Sequence, residues 1–131
     1  MHNRTASELA VVTKAKDLCS YVLDVTQRSP KVFRFTFVSR LQNHALEIIE
    51  CIFWANDTFV VRGDAAALAR RSDYQHRALT STKLLCYLAL LAMERGCILG
   101  RQYEQIARLG SDCQNMLGAW INSDRLRFSS P

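Results

Sequence analysis

Apolar residues recur along this 131-residue chain at alternating three- and four-residue steps. That spacing lines up one face of a helix. Between Pro30 and Asp57 the stripe is Val38, Leu41, Ala45, Ile48, Ile52 and Ala55, opposite a wet stripe of Arg40, Asn43, Glu47, Glu50 and Asp57. Phe37, His44, Cys51 and Ile49 widen the apolar sector, so this helix is expected to meet more than one neighbour. Trp54 falls on the wet side. A ring there suits either a surface covered by another subunit or packing over the following loop near Phe59.

The same period predicts three more helices. Residues 8–27 carry the seam Val11, Ala15, Leu18, Val22 and Val25, with Ser7 as the expected N-cap after a frayed start. Asp24 and Arg28, four apart, can pair on its surface. The break at Arg28, Ser29 and Pro30 follows because a residue before proline disfavours helix, and proline then opens the helix over 31–57. Residues 58–64 read as an apolar loop tucked onto the core, ending in Asp64 as a cap. The third helix, 65–95, has the seam Ala78, Ser81, Leu85, Leu88 and Ala92. Its opening, RRSDYQHR, is polar, as if clear of the core or facing a partner. Gly96 is the expected left-handed terminator. The fourth helix, 102–123, runs along Tyr103, Ile106, Gly110, Cys113, Leu117 and Trp120. Gly110 and Gly118 are expected to let a neighbour come close, and 124–131 form a tail. Four amphipathic helices with short links predict one all-α domain over 1–131, an antiparallel up-down-up-down bundle.

Composition adds direction. Only 5 Gly and 2 Pro occur, which suits long helices rather than many strands. Lys and Arg total 17 against 12 Asp and Glu, for a formal charge of +5. Arg outnumbers Lys, and its planar fork suits phosphate and carboxylate, so the balance points to polyanions. The cysteines are five, an odd number with no CxxC pair, and the start of the chain lacks a signal-peptide apolar core. A cytoplasmic location with reduced thiols is expected, and no apolar run reaches membrane-spanning length. An RGD triplet at Arg62–Asp64 carries no weight without a secretion signal.

Two basic clusters are candidates for nucleic-acid contact. In the first, Arg28, Lys31 and Arg34 alternate with Phe33 and Phe35, the mixture of rings and fixed cations that stacking and phosphate binding need. The alternative is that the rings enter the core and the cations are merely solvated. Up-down topology would add Arg95 and Arg101, diluted by Glu94 and Glu104. The second cluster is Arg70, Arg71, Arg77 and Lys83, either a phosphate-tracking stripe or a mixed solvated face. His44 has Glu47 three residues on, but no second such pair completes a metal site. With no nucleophile–base pair, no Gly-rich phosphate loop and no cofactor motif, an enzyme is not expected.

Two stretches carry a resemblance. PKVFRFTFVSRLQNHALEI from Pro30, and LAMERGCIL followed by QYEQIARLGSDCQNMLGAWINSD through Asp124, resemble the four-helix-bundle family that includes Avd. Avd is the accessory variability determinant of diversity-generating retroelements. The wider group includes proteins encoded in intervening sequences of ribosomal RNA genes. The likeness covers about residues 15–124, and Gly118-Ala119-Trp120 departs from a Gly-Gly-Trp frequent in relatives. It implies a homopentamer with a basic exterior that binds RNA or DNA and associates with a reverse transcriptase. The other reading open to the residues is a protein-interaction bundle whose charge serves solubility.

Overall fold

The computed structural model describes residues 6–128, with side chains from Ala10 onward. It is built of four α-helices: α1 (Ala6–Thr26), α2 (Ser39–Asp57), α3 (Ala65–Glu94) and α4 (Gly100–Arg127). Consecutive helices pack on one another and α4 closes against α1. The start expected to fray and the last residues of the expected tail lie outside the described residues, as does the side chain of Ser7. Since α1 begins at Ala6, Ser7 stands within the helix rather than capping it.

The seams meet in one core. All five seam residues of α1 are buried, as are Leu41, Ala45, Ile48, Ile52 and Ala55 of α2. Each fully buried Leu or Ile contributes about 1.5–3 kcal/mol by leaving water. Gly110 lets α3 come close, because a methyl group there would collide with the Cys86 sulfur. Gly118 is different: it is exposed, and a Cβ would meet nothing. Caps follow the sequence. The Asp64 carboxylate accepts from the Ala67 N–H at 3.0 Å. Gly96 turns the chain after α3 at φ +83°. In the link between α2 and α3 only Val60 tucks inward, while Phe59 and Val61 are exposed.

The start of the second helix departs from expectation. Lys31–Phe33 is a 3₁₀ turn and Arg34–Val38 a π-helical turn, before regular α-helix begins at Ser39. The Ser39 N–H bonds the Arg34 carbonyl five residues back, and Ser39 Oγ donates to the same oxygen at 2.9 Å. A π turn holds one more residue than an α turn. In an unbroken α-helix Arg34, three before Phe37 and four before Val38, would face the core. The extra residue gives that place to Phe33, whose ring lies 6.0 Å from Phe37. Arg34 and Phe35 are turned out to solvent.

The five cysteines are unbridged. Burial pushes the Cys113 thiol from 9.0 up to about 11, with the Cys86 thiol and Asp112 adding to the rise and the Thr82 hydroxyl opposing it. The folded chain therefore holds this proton where the unfolded chain has released it. The contribution of this thiol to stability is fully present below pH 9 and is lost as pH rises from about 9 to about 11. Urea midpoints measured across that window should fall, and Cys113→Ala should flatten the fall. An unchanged pH slope in the variant would remove Cys113 as its source.

Candidate nucleic-acid interface

The first cluster is gathered at one end of the fold. Gln42 Nε2 donates to Thr26 Oγ1 at 2.9 Å, and Thr26 Oγ1 in turn donates to the Val22 carbonyl at 2.7 Å, tying the end of α1 to the start of α2. The α3–α4 link lies beside this corner. Burial raises the Cys97 thiol, and the Ser29 hydroxyl partly opposes that rise. Arg28 and Gln102 line one surface pocket with Tyr21, Asp24 and Gln27. Gln102 Oε1 accepts from the Leu99 N–H at 2.8 Å and so holds the entry to α4.

Arg28, Lys31, Arg34, Arg95 and Arg101 are all exposed. Among the described residues no ion pair joins any of the five to a carboxylate, not even Arg28 to Asp24 one turn back. Their charge faces water, which leaves them able to meet a phosphate without breaking a bond inside the fold. The rings divide between the two readings. Phe33 is half-buried against the core, whereas Phe35 is 81% exposed and Val32 79%. Arg40, on the first turn of α2, is also exposed, a cation that the sequence pattern does not single out.

The second cluster does not form a stripe. Arg71 is 2% exposed and points inward. Its Nε and Nη2 meet Asp124 Oδ2 and Oδ1 at 2.5 and 3.2 Å, and Nη1 donates to the Ala55 carbonyl at 3.2 Å. Gln75 Nε2 donates to Asp124 Oδ2 at 2.8 Å, and Trp120 lies 5.3 Å from the guanidinium carbon. A buried charge needs this much pairing to be tolerated. Within the polar opening of α3, Arg71 and Gln75 thus enter the core while Arg70, Asp73, His76 and Arg77 stay exposed, and Arg71 is corrected from surface contact to an internal tie between α3, α4 and the end of α2. Arg77 is exposed but bonded to Glu47 Oε1 at 3.1 Å, and Ser81 Oγ donates to Glu47 Oε2 at 3.0 Å. Only Arg70 and Lys83 of this group are exposed with no ion pair among the described residues.

The groove between α2 and α3 that holds Glu47, Arg77 and Ser81 is also lined by His44, Asp73 and His76. His44 Nδ1 is 3.9 Å from Glu47, and His76 Nδ1 is turned to the Ser72 carbonyl at 2.8 Å. Among the described residues no three His, Cys, Asp or Glu side chains are grouped as a metal site. Trp54, 59% exposed, stacks on Tyr74 of α3 at 6.1 Å. No described helix is long and apolar enough to cross a membrane. In comparisons with known proteins, no family model and no curated protein matches the chain.

Proposed function

We propose that this chain is a non-enzymatic accessory scaffold whose cationic corner holds RNA or DNA. In full, the reading is an Avd-like protein of a retroelement, acting in the cytoplasm as a homo-oligomer, by resemblance a pentamer, and docking a reverse transcriptase. The bundle is antiparallel and up-down-up-down. Cross-helix pairs support that arrangement: Thr26 with Gln42, Ala55 with Arg71, Glu47 with Arg77, and Arg71 with Asp124. The single observation that carries the function is that five exposed cations lie on or beside two links at one end of the bundle, with no ion pair to any of them among the described residues. Exposed apolar side chains on α2 (Leu46, Phe53, Trp54) and α3 (Leu84, Tyr87) support self-association.

Phosphate binding of this kind works by counterion release, so it depends steeply on salt. Five phosphate contacts to a single strand give a log–log slope of about −3.5, or about a 100-fold loss between ~50 and ~200 mM salt. Fluorescence anisotropy of a labelled oligonucleotide across that range measures it. A flat response would remove the mechanism. The same apolar side chains also favour the second reading, a protein-interaction bundle, which predicts no oligonucleotide binding at any salt.

A further inference from the structure

We propose that the corner built by the 3₁₀ and π turns selects single strands, with Phe35 stacking on an unpaired base while Arg28, Lys31 and Arg34 hold the flanking phosphates. This rests on the reading of the corner as a phosphate-binding surface and adds the class of nucleic acid.

Phe35 leaves a great deal of apolar surface in water. At 81% exposure, most of the gain from burying a phenylalanine is not made within the chain. The core has no use for the ring at this position, since the inward place in the turn is already filled by Phe33 against Phe37. The extra residue of the π turn, held by the two hydrogen bonds that Ser39 donates to the Arg34 carbonyl, sets Phe35 outward beside Arg34. The ring therefore stands on a fixed helical turn rather than a loose loop.

The surroundings decide what covers it. Arg34 immediately precedes Phe35 in the chain, with Lys31 one turn earlier and Arg28 before it on the same link. Among the described residues none of the three cations is paired to a carboxylate. A flat ring bordered by fixed positive charge complements a flat base joined to negative phosphates. In a duplex the base faces are already stacked on one another, and a projecting phenyl ring meets only groove edges and backbone. It gains the stacking contribution only from a base free to turn toward it. Any base offers such a face, so the grip is indifferent to sequence.

The test compares a labelled 12-nucleotide oligo(dT) or oligo(rU) with a DNA duplex of equal length at one fixed salt concentration. Phe35→Ala should lower single-strand affinity about 10-fold, in the range expected for one lost base stack, and change duplex affinity less than about 2-fold. Phe35→Trp should keep single-strand affinity. Phe35 is exposed, so the melting temperature of each variant should match the parent. Single-strand binding unchanged in Phe35→Ala, with the salt slope intact, would overturn stacking and leave the phosphate reading standing. An equal loss on duplex would overturn the selectivity. A change in oligomeric mass in Phe35→Ala would make the ring a subunit contact and overturn the proposal. No binding of either oligonucleotide by the parent protein would remove both readings together.

Discussion

Asp124→Ala is expected to destabilise the fold by about 3–5 kcal/mol, the usual consequence of removing one partner of a buried ion pair. Arg71 would be left charged at 2% exposure beside the Trp120 ring, without the carboxylate that pairs it, although the Ala55 carbonyl would still accept from it. Gln75 would lose its acceptor as well. Against a total stability of about 5–15 kcal/mol for a domain, that loss is large. Chemical denaturation read by far-ultraviolet circular dichroism measures it. Replacing both charges together, as Arg71→Met with Asp124→Leu, should recover most of the loss, because no unpaired charge then remains inside. The same experiment settles the part Arg71 plays. A well-folded Arg71 variant that binds oligonucleotide less tightly would return this residue to the contact surface.

Reversing Arg28, Lys31 and Arg34 to Glu should reduce oligonucleotide affinity by at least about 100-fold at ~0.1 M salt. Three single-strand phosphate contacts contribute a factor of that order through counterion release, before any repulsion from the new carboxylates. Stability should change little, since all three side chains are exposed and surface substitutions of this kind usually stay within about 0.5 kcal/mol each. Anisotropy titration and a thermal melt of the same sample give the two readouts. Binding retained in the triple variant while a protein partner is lost would favour the interaction-bundle reading. Reversal of Arg70 and Lys83 serves as a control, with a smaller expected effect because they lie on α3 away from the links.

The chemistry of the corner is legible in the order of the residues, but its full extent is not. Arg28, Lys31 and Arg34 stand within seven residues, so chain order alone makes them a cluster. Adding Arg95 and Arg101 requires the two links to lie side by side, which the pocket shared by Arg28 and Gln102 provides. The two phenylalanines cannot be told apart by type or spacing. A π turn shifts the inward face by one residue, and nothing in PKVFRFTFV announces the shift.

Sequence pattern misplaces Arg71 for a related reason. RRSDYQHR has no apolar period, and a run of polar residues usually marks a solvated face. Its burial depends on Asp124, 53 residues away, a position that reads as the start of a tail. A paired charge can enter a core that an unpaired one cannot, and pairing at that distance leaves no local trace. Local pattern by itself determined the four helices, their inward seams, the Asp64 cap and the Gly96 turn, because each depends on neighbours within a few residues. Which cations face water, which ring stands free and which charge is held inside were decided only by how the helices pack, since burial is a property of the assembled chain.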